Sequence, residues 1–327
     1  MTDAPDKVRP VRMVVLLCAI GLGVALAALI ALLRLLPAGD TNPYPYDVEA
    51  FKKTDPALVR YRETVPLRTE LTALRGLATT VDDRILVTGD AAVLILDRDG
   101  KQVSRIDLGA PARCVAAGQG GDIYLGMTEH VEVYDAKGER KASWGSLGER
   151  AFITALAVKG NELFIADAGT RVVWHFSTAG ALLGRIGEQD PAKGAPGLVI
   201  PSPYLDLAID PDGFLWVVNP GRHALENYTP DGQLRASWSK ASIDVAGFCG
   251  CCNPTHLAIL PDGSFVTSEK GIVRVKVYKA SGVFDGIVAG PEAFAEDTVG
   301  LDLAVQASGR ILVLDPKRNC IRTFVRK

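Results

Sequence analysis

From Leu74 to the C-terminus, apolar and polar positions recur in one cycle. An apolar-Ala step leads to a polar turn with Asp or Gly, then to a β-branched run. A loop, a second alternating run ending in an aromatic residue or Leu, and a Gly turn complete the unit. The copies are Gly76-Leu77-Ala78 with Arg84-Ile85-Leu86-Val87, Cys114-Val115-Ala116 with Asp122-Ile123-Tyr124-Leu125, and Ala155-Leu156-Ala157 with Glu162-Leu163-Phe164-Ile165. Asp206-Leu207-Ala208, His256-Leu257-Ala258 and Asp302-Leu303-Ala304 open three more, followed by Phe214-Leu215-Trp216-Val217, Ser264-Phe265-Val266-Thr267 and Arg310-Ile311-Leu312-Val313. Gly100, Gly138, Gly180, Gly232 and Gly282 align as the later turn. A period of about 40–50 residues with about four strands per unit predicts an all-β propeller of six blades. Tyr124, Phe164, Trp216 and Phe265 are expected in the core between blades.

The last copy stops at Phe324-Val325-Arg326-Lys327, after its third strand. Val59 to Leu67 alternates and precedes the first copy, so it is expected to supply the outer strand of blade six. Closure in that way hides an edge that would otherwise be open to pairing.

The N-terminus follows a different pattern. Met13 to Leu33 carries no charge, and about 20 apolar residues are what a helix needs to cross a bilayer. Arg34-Leu35-Leu36 follows where a cleaved signal would have small residues, so the expectation is a retained anchor. Lys7, Arg9 and Arg12 precede the run, which places the N-terminus in the cytoplasm and exports the rest. The domain reading is a cytoplasmic segment 1–12, a transmembrane helix 13–36, a linker 37–58 and a propeller 59–327. That corresponds to a single-pass protein of a bacterial inner membrane with its propeller in the periplasm, held to lipid by one helix. Net charge of −2 over 327 residues gives no case for nucleic acid. Apolar residues at 48% suffice for a large core.

Unusual chemistry concentrates in Phe248-Cys249-Gly250-Cys251-Cys252-Asn253-Pro254-Thr255-His256. Three of six cysteines and one of four histidines lie there. Thiolate and imidazole are the donors that zinc, copper and iron–sulfur centres select. A disulfide or a stapled loop is the competing reading, although adjacent cysteines, with Cα atoms about 3.8 Å apart, strain such a ring. Five cysteines would lie outside the cytoplasm (114, 249, 251, 252 and 320), so not all can pair within one chain.

The aligned position opening each inner strand holds Gly76, Cys114, Ala155, Asp206, His256 and Asp302. In a propeller this ring sits at a channel mouth, so Cys249, Cys251, Cys252 and His256, with Cys114 or Cys320 completing the set, are candidate metal ligands. Asp206 and Asp302 either join them or only cap turns. Cys114 and Cys320 have packing as their alternative, and His175 is expected to be structural. Tyr204, Arg222, His223, Glu269 and Lys270 fall on loops of the same face. Tyr204, Arg222, His223 and Lys270 are candidate cofactor contacts, with solvated charge or loop hydrogen bonding as the competing readings. No Gly-x-Ser-x-Gly elbow, phosphate loop or His-Glu-x-x-His is present.

Leu163-Phe164-Ile165-Ala166-Asp167-Ala168-Gly169-Thr170-Arg171-Val172, with Phe176 and Gly180, resembles the repeat of NHL propellers, and the likeness spans about residues 74–327. Such propellers include lyases, lactonases and binding scaffolds. Pro201-Ser202-Pro203-Tyr204, Asn219-Pro220-Gly221-Arg222-His223, Gly250-Cys251-Cys252-Asn253-Pro254 and Ser268-Glu269-Lys270-Gly271 resemble a membrane-anchored bacterial subgroup carrying a CGCCNP loop. That resemblance implies membrane redox subunits of ferredoxin and FMN-binding type as partners. The resulting expectation is an accessory or electron-transfer subunit, a binding role ahead of an enzymatic one, with an iron–sulfur cluster or a single transition metal at the mouth. A docking scaffold with structural cysteines is the first alternative, and a metal-dependent lyase or hydrolase the second.

Overall fold

The computed structural model describes Leu17 and residues 20–31, 48–118 and 120–327. Two compact units are distinguished, Met1–Asp47 and Val48–Lys327. In the first, residues 20–31 are helical, with Leu22 and Val24 among their exposed apolar side chains. The rest of the expected 13–36 span lies outside the described residues. Among the described residues no helix is long and apolar enough to cross a membrane.

The second unit is a ring of six four-stranded antiparallel sheets. Blade one comprises Leu74–Thr79, Ile85–Gly89, Ala92–Leu96 and Gln102–Asp107, from the channel outwards. Blade two begins at Cys114, blade three at Ile153, blade four at Leu207, blade five at His256 and blade six at Leu303. Burial explains the composition of each position. Ile85–Gly89 and Ala92–Leu96 are buried throughout, so they read as unbroken apolar runs. Gln102–Asp107 is largely exposed and alternates. Inner strands of successive blades touch all the way round, with blade six against blade one.

Blade six holds only three strands from its own segment. Tyr61–Glu63 pairs with Cys320–Arg326 to make the fourth, in the register Tyr61↔Arg326 and Glu63↔Phe324. Arg322 clamps this closure. Its Nε donates to Glu63 Oε1 at 2.8 Å and its Nη2 to Oε2 at 2.6 Å. A two-pronged charge-assisted pair of this kind contributes about 1.5–3 kcal/mol.

Cores fill the wedges between blades. Phe164 and Phe265 are each 1% exposed, and truncating either to Ala would cost about 3–5 kcal/mol. Trp216 is only partly buried and meets Phe265 edge-on at 4.6 Å. Two turn glycines are fixed by this packing. Gly180 and Gly282 have φ of 90° and 79°, and a Cβ would come within 3.1 Å of Trp144 or 2.9 Å of Trp238. Each glycine therefore seats an indole from the neighbouring blade as well as turning the chain.

Candidate functional site

The six inner strands enclose a channel of about 290 Å3. Asp206 and Asp302 stand in it at the starts of two inner strands. Asp206 Oδ1 accepts from Leu207 N at 2.7 Å, and its Oδ2 accepts from Leu257 N of the next blade at 2.8 Å. Asp302 repeats the arrangement with Leu303 N at 2.8 Å and Leu77 N at 2.7 Å. Each carboxylate thus caps its own strand and staples its blade to the following one. Burial pushes both carboxyls towards the neutral form against those N–H bonds, and their mutual repulsion raises Asp206 further. Asp302 is pushed up to about 7. Cys114 lies beside them, 5% exposed, and burial raises its thiol well above the usual range.

The cysteine loop enters blade five at the channel mouth and is held from below by buried charge. Phe248 is 1% exposed and stacks on Trp238 with ring centres 5.8 Å apart. Lys276 Nζ lies 2.5 Å from Glu269 Oε1 and donates to the carbonyls of Val245 and Gly247. Arg274 Nη2 pairs with Glu269 Oε2 at 3.0 Å. All three side chains are at most 2% exposed. Burial lowers Lys276 to about 8, with the Glu269 charge opposing. Tyr278 Oη adds a bond to Ala246 O. Asn253 closes the loop from the other side. Its Nδ2 donates to Cys249 O at 2.7 Å and Lys270 O at 2.9 Å, while its Oδ1 accepts from Lys270 N.

Within this frame the sulfur atoms separate. Cys249 is half-buried next to Glu269, and burial together with that negative charge raises its thiol. Cys251 is exposed, Cys252 is buried, and their Sγ atoms are 2.9 Å apart. Burial opposes ionisation of Cys252. The hydrogen bond from Cys251, the Lys270 ammonium and the Ser202 hydroxyl outweigh it and hold the thiol below its usual range. Cys251 is raised by the same hydrogen bond and by the neighbouring charge. Of the two, Cys252 is the thiol whose ionisation is favoured and Cys251 the one that holds its proton more tightly. The Ser202 hydroxyl is buried and makes no hydrogen bond of regular geometry, which leaves it free to serve that sulfur.

The other predicted residues distribute around this pair. Lys270 Nζ sits 5.5 Å above the Tyr204 ring, and that ring meets His256 edge-on at 5.7 Å. His256 lies in the wall of the mouth, and burial lowers it to about 4, so it is neutral at pH 7. His223 Nδ1 is 3.2 Å from Asn253 O and so supports the loop. Arg222 turns away, donating to the carbonyls of Pro196 and Gly197. Cys320 is 3% exposed, on blade six opposite Asp315. Cys114 is down the channel. Among the described residues no three His, Cys, Asp or Glu side chains converge as a metal-binding group. His175 stacks on Phe164 with centres 4.6 Å apart and bonds Glu162, which is a packing role.

Sequence reasoning missed Ser202, Asn253, Arg274 and Lys276. An Arg and a Lys alternating within the apolar strand Arg274–Tyr278 was the available signal, since a buried charge needs a buried partner.

No family model and no curated protein sequence matches the chain. Among solved structures it is similar to streptogramin B lyase, with TM-score 0.58 and 10% identity over 84% of this chain and 100% of the other. A Bacteroides thetaiotaomicron protein of unknown function matches with TM-score 0.56 and 17% identity, over 81% of this chain and 72% of the other. These likenesses establish the six-bladed propeller fold.

Proposed function

We propose that the chain is a membrane-tethered, exported binding propeller that serves a membrane redox assembly through the thiol pair at its channel mouth. The reading is carried by one observation: Cys251 and Cys252 present sulfurs 2.9 Å apart, beside Lys270 and Ser202, on a loop made rigid by buried charge. Two adjacent sulfurs, one with its thiol pKa lowered, are soft donors suited to a single thiophilic ion such as Cu(I) or Zn(II). An iron–sulfur cluster takes about four such donors, and Cys249 is directed instead to the Glu269 cluster. The tether is supported by the uncharged run 13–33 and the exposed apolar helix over residues 20–31. Redox subunits of the membrane are the partners implied by that location and by the resemblance in the mouth loops. The lyase reading has less support, because Asp206 and Asp302 are already taken by backbone N–H groups.

Anaerobic titration of the reduced, full-length protein with Cu(I) and with Zn(II), against a competing chelator, tests this. One ion should bind per chain, and the double change Cys251→Ser, Cys252→Ser should abolish it while Cys249→Ser does not. Uptake that survives the double change, or no uptake at all, overturns the assignment. Protease treatment of spheroplasts should digest the propeller, and protection of residues 59–327 would refute export.

A further inference from the structure

A second cavity, about 210 Å3, opens at the channel mouth and is not part of the thiol site. Arg75 and Arg113 project into it from adjacent blades, across from Tyr204 and His256. Arg113 is already positioned. Its guanidinium lies 3.7 Å over the Phe152 ring and its Nε donates to Ile153 O at 3.1 Å, leaving both Nη groups without a protein acceptor. Arg75 makes no hydrogen bond or ion pair among the described residues. Burial and the charge of Arg75 both depress the proton affinity of Arg113, so the two cations repel each other across the cavity. Neither channel carboxylate forms an ion pair with them, the oxygens of Asp206 and Asp302 accepting from backbone N–H groups instead. Two like charges converging on a cavity, with fork-shaped donors free, form a receptor for a carboxylate.

His256 defines the other end of the ligand. Thr255 Oγ1 donates to Ser268 O and Ser268 Oγ donates to Leu301 O, so both hydroxyl protons are committed. With the hydroxyl protons so directed, His256 Nδ1, 3.2 and 3.3 Å from those oxygens, bonds them as the protonated ring nitrogen. Its Nε2 is left as a bare acceptor in the wall of the cavity, and Tyr204 Oη has no partner among the described residues. The cavity is smaller than the 300–1,000 Å3 or so of sites for drug-sized molecules.

We infer that the channel mouth binds a small hydroxy acid, its carboxylate on Arg75 and Arg113 and its hydroxyl donating to His256 Nε2. The test is calorimetric titration of full-length protein in detergent micelles with L-lactate, propionate and inorganic phosphate at constant ionic strength. Lactate should bind saturably, and about fivefold to tenfold more tightly than propionate, which lacks the donor. Arg75→Met, at an exposed position whose side chain makes no hydrogen bond or ion pair among the described residues, should weaken lactate by about tenfold or more. Arg113→Lys keeps a charge but loses the fork, together with the guanidinium over Phe152 and the Nε bond to Ile153 O, and should weaken lactate binding while retaining part of it. His256→Asn should erase the preference for lactate over propionate. The double serine change at Cys251 and Cys252 should leave lactate binding intact, so this site and the thiol site fail separately. No saturable binding, unchanged affinity in Arg75→Met, or phosphate binding more tightly than lactate would each overturn the inference.

Discussion

Replacing Asp302 by Asn should make the stability curves of variant and wild type cross as pH rises. Wild-type Asp302 is pushed from an ordinary 3.8 up to about 7 by burial in the channel. An acid whose native pKa is raised binds its proton more tightly when folded. Stability therefore falls as pH climbs from about 4 to about 7, and the slope vanishes outside that window. A shift of about 3 units corresponds to about 4 kcal/mol, which is a ceiling because the channel is open to water. For a unit of this size that ceiling is about 8 °C in midpoint. Asn carries no charge, so this loss disappears. Its amide nitrogen cannot accept, however, so either Leu77 N or Leu303 N loses its partner at about 1 kcal/mol. The variant should be less stable than wild type near pH 5 and more stable near pH 7.5. Asp206 and Glu226 are also raised by burial and keep a residual slope of the same sign in the variant. The four tryptophans all belong to blades, so unfolding by fluorescence at half-unit pH intervals reads the propeller alone. Parallel curves for the two proteins, or wild-type stability that rises between pH 5 and 7, would refute the account.

Lys276→Met should cost about 3–5 kcal/mol, measured by denaturant unfolding, because it removes one of the two cations holding a buried carboxylate and releases two loop carbonyls. Asn253→Ala breaks three hydrogen bonds and should cost about 1–3 kcal/mol, while alkylation of Cys252 followed by mass spectrometry speeds up as the loop loosens. In wild type at neutral pH, Cys252 should alkylate faster per unit of exposure than Cys249, since one thiol is lowered and the other raised; equal rates after correction for access would contradict that ordering. Arg322→Ala should unlatch Tyr61–Glu63, seen as lost amide-exchange protection at Arg62 and Glu63 with little change in blade three.

The ring was legible because each blade repeats its apolar pattern at the level of whole strands. Gly180 and Gly282 recur at a fixed place because each must both turn the chain and admit an indole. The closing strand could be read from an unfinished final copy. The site was less legible. Four ligand-type residues at one aligned position suggested a metal ring, yet Asp206 and Asp302 each accept from one backbone N–H of their own blade and one of the next. Nothing in a spacing distinguishes a carboxylate that staples from one that ligates. Proximity in sequence also left the roles of the three sulfurs undivided. Cys249 feels the charge of Glu269, while the Sγ atoms of Cys251 and Cys252 stand 2.9 Å apart.

A second periodicity, in polar residues, explains why the mouth sits where it does. The last residue of the second strand is Gly89 in blade one and Gly126 in blade two, then Asp167, Asn219, Glu269 and Asp315. Seven residues further on, on the same face of the sheet, stand Trp174, Glu226, Lys276 and Arg322 in blades three to six. Each pair makes contact, by hydrogen bonds of 3.0 Å for Trp174–Asp167 and Asn219–Glu226 and by ion pairs of 2.5 and 3.7 Å for Lys276–Glu269 and Arg322–Asp315. Each pair also holds the loop that enters its own blade. Asp167 takes Phe152 N, Asn219 takes Val199 N, Lys276 donates to Gly247 O and Arg322 donates to Ala293 O. Blades one and two, where the position is Gly, have no such pair. A buried polar pair seldom stabilises more than an apolar one of equal volume. Its contribution here is to fix irregular backbone that has no ladder of its own, and the pinned loops of blades four and five are the ones that carry Tyr204 and the thiol pair. A propeller that only stacked sheets could fill these positions with aliphatic residues, as the partner positions Leu94 and Val133 do in the first two blades.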